Sequence, residues 1–178
     1  MRKYPSPFHK GTKYEEAKDD PELYKFPGYW FLSHQRLPST KYAKDLLVEL
    51  GAPILAVEDG TVISVKNDSD KFINPITHPR YEVLFRENNL SIEELEVLKE
   101  ELLELSEKYT NHVQVNQVDD SVAQYFHLDK NTRVTIKQKI RQGDVLGAVG
   151  LNGLTTGPHL HINFAEILSV PFEISEID

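Results

Sequence analysis

The stretch Gly157-Pro158-His159-Leu160-His161-Ile162-Asn163-Phe164 constrains this chain more than any other. Its histidines stand at i and i+2, and Leu160, Ile162 and Phe164 fill the alternate positions. A β-strand has a side-chain period of two, so this spacing puts both imidazoles on one face and the apolar side chains on the other. Gly157-Pro158 is turn chemistry and sets the start of the strand. One wall of a polar site is expected on this rigid, core-anchored element. Taken alone, the pair also reads as two surface histidines on a half-exposed strand, because short motifs recur by chance. The rest of the chain has to decide between the two.

With 178 residues the chain fits one large domain, or one domain with an elaboration. Its 39% hydrophobic residues, one Trp, eight Phe and eight Tyr suffice for a core. The net charge of −8 and the absence of a dense Lys/Arg cluster argue against a nucleic-acid partner held through phosphates. There is no cysteine, which removes disulfides, thiolate-bound metals and thiol catalysis. No apolar run reaches the 18 residues or so a membrane span needs. The basic opening Met1-Arg2-Lys3-Tyr4 is not followed by an apolar stretch, so no leader is read here, and the compartment stays open.

Residues 1–30 read as an N-terminal extension lying over the domain, its end pinned by Phe26, Tyr29, Trp30 and Phe31. Residues 31–178 read as a single domain with a loop-helix insertion at about 67–110. From His34 a polar loop leads to Asp45, beside Leu46 and Leu47, where an unpaired carboxylate would be costly. Ile54–Val57 and Val62–Val65 around Glu58-Asp59-Gly60-Thr61 read as a β-hairpin. Ser91-Ile92-Glu93-Glu94 is a capping box, opening a helix with Ile92, Leu95, Leu98, Leu102 and Leu105 on one stripe and a glutamate-rich opposite face. That helix, residues 91–108, docks on the domain by its leucines or serves a protein partner. Strands follow at Asn111–Asn116 and Ala123–Leu128, the second placing Ala123, Tyr125 and His127 on one face. Val134–Ile136 reads as a short strand, and Gly150–Gly157 as a loop before the histidine strand. The pattern predicts a mainly β fold built on antiparallel sheet.

The sequence lacks a G-x-S-x-G elbow, a P-loop and a G-x-G-x-x-G turn. A His/Asp set without cysteine suits Zn²⁺, and three protein ligands with an open position make a catalytic rather than a structural site. Histidines that are not ligands can then move protons and steady an oxyanion.

Asp45, the Ile54–Val65 segment with Glu-Asp-Gly-Thr-Val, Tyr125-Phe126-His127-Leu128, Gln142-Gly143-Asp144-Val145-Leu146-Gly147 and Thr156-Gly157-Pro158-His159-Leu160-His161 come in one order. That order resembles the M23 family of zinc endopeptidases, the lysostaphin/LytM-like group, over roughly residues 34–66 and 111–166. The resemblance implies an antiparallel β-sheet groove of the duplicated-hybrid-motif type, and cleavage of peptides in bacterial peptidoglycan cross-bridges or stem peptides. It implies Asp45 and His161 as zinc ligands, and His127 and His159 as the pair handling the water and the tetrahedral intermediate. Where the family's first motif is His-x-x-x-Asp, this chain has Lys41 four residues before Asp45, and an ammonium cannot ligate zinc. His34, ahead of the Lys41-Tyr42-Ala43-Lys44-Asp45-Leu46 run, is the candidate third ligand, preferred to His112 and His9. Tyr125, Asn152 and Thr156 are the expected substrate contacts. Against an active peptidase stands a degenerate relative that uses the same groove to bind or regulate a partner.

Overall fold

The computed structural model describes residues 1–34, 38–166 and 169–175. In chain order its strands are β1 (Arg2–Pro5), β2 (Glu15–Glu16), β3 (Lys44–Leu47), β4 (Pro53–Leu55), β5 (Gly60–Lys66), β6 (Phe72–Ile73), β7 (His112–Gln117), β8 (Val122–Phe126), β9 (Lys139–Ile140), β10 (Val145–Ala148), β11 (Gly153–Leu154), β12 (His159–Ala165) and β13 (Phe172–Ser175). The helices are α1 (Pro27–Leu32), preceded by a 3-10 turn at Pro21–Lys25, α2 (Val83–Arg86) and α3 (Ile92–Tyr109).

Strands β2-β3-β12-β8-β7-β5-β9 form one sheet in that order, antiparallel at every pairing. Its apolar face carries Leu46, Val62, Val113, Val115, Ala123, Tyr125, Leu160, Ile162 and Phe164. The antiparallel pair β4–β10 supplies Ile54 and Leu146 to the same core. The fold is mainly β with a seven-stranded antiparallel sheet, as the alternating pattern predicts.

The expected hairpin between Ile54–Val57 and Val62–Val65 does not form. β4 pairs with β10, whereas β5 pairs with β7 and β9. Gly60 is a strand residue, and a Cβ there would lie 2.5 Å from the Asn116 carbonyl oxygen. The glycine serves a close backbone approach to β7 rather than a tight turn. Val134–Ile136 is not a strand either: Lys137 has φ 72°, turning the chain, and pairing starts at Lys139.

The first thirty residues are woven into the fold rather than laid over it. β1 pairs in parallel with β13, β2 extends the edge of the large sheet, and Tyr4 and Phe8 are buried in the main core. The Tyr4 ring stacks on Phe164 at 4.0 Å. Further along, Phe31 and Tyr29 join a second, smaller core with Tyr81, Leu84, Phe85, Leu98 and Leu102, while Trp30 stays partly exposed against Tyr24.

β5 and β7 are neighbours in the sheet, so the chain between them leaves and returns beside the strand it left. Within it α3 starts at the capping box: the Ser91 hydroxyl accepts from the Glu94 amide at 3.2 Å, and the Glu94 carboxylate accepts from the Ser91 amide at 3.0 Å. Leu98 and Leu102 are buried and Leu95 and Leu105 partly so, all in the second core, while Ile92, on the same stripe, is exposed. The second core thus fixes α1 and α3 beside the polar face of the sheet. Among the described residues no helix is long and apolar enough to cross a membrane.

Candidate metal and hydrolytic centre

Register brings the polar residues together. β12 pairs antiparallel with β3 so that His161 stands directly opposite Asp45. Directly opposite residues share a face, and the His161 Nδ1 lies 2.9 Å from Asp45 Oδ1. His34, just after α1, brings its Nε2 to 3.4 Å from the same oxygen, and the His34 and His161 rings meet edge to face at 4.8 Å. Possible ligand atoms of His34, Asp45 and His161 all lie within 4.8 Å of one another, and among the described residues this is the single such group. Two imidazoles and a carboxylate without thiolate are a donor set that fits zinc.

Lys41, at the position where the resemblance leads one to expect a histidine, is exposed, with its Nζ 5.4 Å over the Tyr42 ring. His34, not Lys41, belongs to the group with Asp45 and His161. Gln35–Leu37, part of the polar loop read between His34 and Asp45, lie outside the described residues. His9 is exposed in a loop, and the His112 Nε2 is engaged by the Ser64 hydroxyl at 2.9 Å.

His159 and His127 stand beside this group with their rings 4.5 Å apart. His159 Nδ1 lies 3.0 Å from the Gly157 carbonyl and 3.1 Å from the Thr155 hydroxyl. A carbonyl only accepts, so Nδ1 carries a proton, and Nε2, 3.6 Å from Asp45 Oδ1, faces the His34/Asp45/His161 group. His127 repeats the device: its Nδ1 donates to the Asn152 carbonyl at 2.8 Å. Thr155, which orients His159, was not singled out by sequence reading; its place four residues ahead of the histidine is the signal that could have found it.

Period-two alternation would send His127 into the core with Tyr125. It does not, because the strand ends at Phe126 and His127 has φ 64°, which breaks the alternation and turns the ring to the groove. Two expected substrate contacts are corrected on burial. Tyr125 is 1% exposed, in the main core, with its hydroxyl accepting from the Val57 amide at 3.2 Å. Asn152 is 2% exposed and spends its side chain on the Asn111 amide and the Leu128 carbonyl. Thr156 does line the groove.

The groove has a volume of about 850 Å³. His34, Asp45, His127, His159 and His161 lie in it with Phe126 and Gln124, and Tyr29 of the α1 segment and Leu103 of α3 line it too.

Burial would raise the Asp45 carboxyl, but hydrogen bonds from His161 and His34 outweigh it and hold its pKa well below the ordinary value. Burial likewise pulls His34 down, but its hydrogen bond to Asp45 and the charges of Asp45 and Asp19 together outweigh it and raise the pKa. For His161 burial prevails and the pKa is lowered. Burial and the neighbouring His159 push His127 down to about 3, so it is neutral throughout the neutral range.

These shifts fix a sign. His127, His161 and His112 titrate lower in the folded chain than the unfolded value of 6.5, so the unfolded state takes up more protons as the pH falls below it. Their contribution is complete above 6.5 and is progressively lost below it, for His127 down to about 3. His34, raised, opposes them: its contribution is complete below 6.5 and lost as the pH rises through its folded pKa. The expected result for metal-free protein is a melting temperature that falls from pH 7 to pH 5, with His127 alone costing up to about 1.4 kcal/mol per pH unit below 6.5. A melting temperature that rises on acidification would refute it.

The model of peptidase family M23 matches residues 90–170, from α3 through β12, a span containing His127, His159 and His161 but not His34 or Asp45. Peptidoglycan DD-endopeptidase ShyC of Vibrio cholerae serotype O1 is 33% identical over 54 residues, 30% of this chain and 12% of that protein. The match therefore spans a small part of the curated relative. Among solved structures, the catalytic domain of prophage-encoded M23 protein EnpA from Enterococcus faecalis superposes with a TM-score of 0.53 at 19% identity, over 92% of each chain. The deep-sea M23 metalloprotease pseudoalterin gives a TM-score of 0.52 at 12% identity, over 95% of this chain and 74% of that one. At such identities the likeness is one of fold. Motif order, family model and fold agree, and the resemblance of this chain to peptidase family M23 holds.

Proposed function

We propose that this chain is a zinc-dependent endopeptidase acting on peptide bonds of peptidoglycan. The observation that carries the proposal is the placement of His34, Asp45 and His161 on one groove floor beside two histidines whose Nδ1 protons are fixed by carbonyls. His34, Asp45 and His161 would hold the metal. When bound, zinc supplies a Lewis acid for the scissile carbonyl and lowers the pKa of water to about 7.

The chain's own residues do the rest. His159, through its Nε2 next to the ligand group, accepts a proton from the water that attacks the scissile carbonyl carbon. It returns that proton to the leaving amine as the C–N bond breaks. His127, neutral and with Nε2 free, accepts a hydrogen bond from the attacking water and orients it. The groove admits an extended peptide between the sheet face and the α1/α3 wall, where Thr156, Gln124 and Phe126 offer mixed polar and apolar contacts. The name of the relative ShyC supports peptidoglycan as the substrate class. The alternative of a binding module is motivated by Lys41, but that residue is exposed and His34 lies close enough to Asp45 and His161 to serve as the third ligand, which supports the peptidase.

Incubating zinc-loaded protein with cross-linked muropeptides and following the products by mass spectrometry tests the proposal. Cleaved dimers with a new α-amine are expected, abolished by a chelator and restored by added zinc. Intact muropeptides after incubation with folded, zinc-loaded protein would favour the binding module.

A further inference from the structure

We infer that Asn111 and Asn152 are positioning residues for His127: a buried amide pair that holds its backbone in the left-handed region and fixes which ring nitrogen faces the groove. The inference rests on the reading of His127 as a group acting on the attacking water.

A left-handed φ is unfavourable for a residue with a Cβ and persists only where the surroundings hold it. At His127 they do so through the peptide groups on both sides. The His127 amide donates to the Asn111 carbonyl at 2.9 Å, and the His127 carbonyl accepts from the Gly150 amide at 2.7 Å. The next carbonyl, of Leu128, accepts from both side-chain amides, Asn111 Nδ2 at 3.1 Å and Asn152 Nδ2 at 2.6 Å. The two asparagines are tied to each other, the Asn111 amide donating to Asn152 Oδ1 at 2.8 Å. Asn111 is 0% exposed, so no water competes for these bonds.

The ring is fixed by the same pair. Asn152's side chain is anchored on Leu128 and Asn111, which sets the plane of its own backbone carbonyl, the acceptor of the His127 Nδ1 proton. Closure of the loop over His127 also needs a residue without a side chain at Gly150, where a Cβ would lie 2.6 Å from Asn152 Nδ2 and 2.7 Å from the Asp129 amide. One amide comes from the residue before β7 and the other from the loop after β10, so two stretches distant in sequence converge on the one that carries His127. A role confined to satisfying buried polar groups would not require the cluster to end on a ring nitrogen. Without the anchor, the Nδ1 and Nε2 tautomers would interchange and the Nε2 lone pair would face the groove only part of the time.

Ring ¹H–¹⁵N correlation spectra of histidine-labelled protein at neutral pH, with kcat, KM and zinc content of Asn152→Ala, test this. In the wild type, His127 is expected as one neutral tautomer with the proton on Nδ1. In Asn152→Ala a mixture of tautomers is expected, with kcat lower by about 10–100-fold and KM and zinc content near the wild-type values. A wild-type His127 protonated on Nε2 overturns the inference, as does a folded variant with unchanged tautomer and kcat. If the variant does not fold, the wild-type spectrum decides alone. The Nδ1 tautomer in a wild type that cleaves no peptide would sustain the positioning role and remove the proposed activity.

Discussion

Alanine in place of His159 is expected to lower turnover by about 10²–10⁴-fold, the usual weight of a positioned general base, with zinc content unchanged. The effect is large because nothing nearby can take over. His127 donates a hydrogen bond from Nδ1 to the Asn152 carbonyl and has a pKa pushed down to about 3, too low to hold a second proton in transit at neutral pH. Asp45 and His161 are hydrogen-bonded to each other, and the proposal commits both to the metal. Metal content stays because His159 reaches Asp45 Oδ1 at 3.6 Å without being part of the His34/Asp45/His161 set. Steady-state kinetics on a muropeptide dimer, with elemental analysis of the same sample, measures both quantities. Turnover retained within an order of magnitude would remove His159 from the proton-transfer role.

Replacing Asp45 by asparagine is expected to abolish stoichiometric zinc binding and, with it, the stabilisation that zinc gives the fold. One carboxylate oxygen serves His161, His34 and His159 at 2.9, 3.4 and 3.6 Å, so it is the single negative charge at the centre of three imidazoles. An amide keeps the shape and loses that charge, leaving two neutral nitrogens too few to hold a divalent ion tightly. The wild type with zinc should melt higher than its chelator-treated form, because a ligand bound only to the native state stabilises it by mass action. In Asp45→Asn the two curves should coincide. A chelator-sensitive melting temperature in the variant would show that the carboxylate is not a ligand.

The histidine strand was legible because its period of two is enforced by packing: Leu160, Ile162 and Phe164 are all fully buried, which obliges His159 and His161 to face the other way. The capping box at Ser91 was legible for a similar reason, since its pattern is local. His127 was misread in its facing, because a left-handed backbone at a non-glycine residue is imposed by partners distant in sequence, Asn111 and Gly150. Gly60 looked like a turn residue and is a close-approach residue, a distinction that depends on which strand lies alongside. Tyr125 and Asn152 were read as groove contacts from their place in motif and loop, yet burial gives the first to the core and the second to the support of His127. The approach of His34 to Asp45 across ten intervening residues was open to sequence reading only as one candidate among three, since chain connectivity permits it without requiring it.

Whether His34, Asp45 and His161 hold one zinc ion is decided by elemental analysis of zinc per chain in the wild type, His34→Ala and Lys41→Ala prepared side by side. Near-stoichiometric zinc in the wild type and Lys41→Ala, lost in His34→Ala, is the expected result. Zinc retained in His34→Ala, or absent from the wild type even after incubation with the metal, would contradict it.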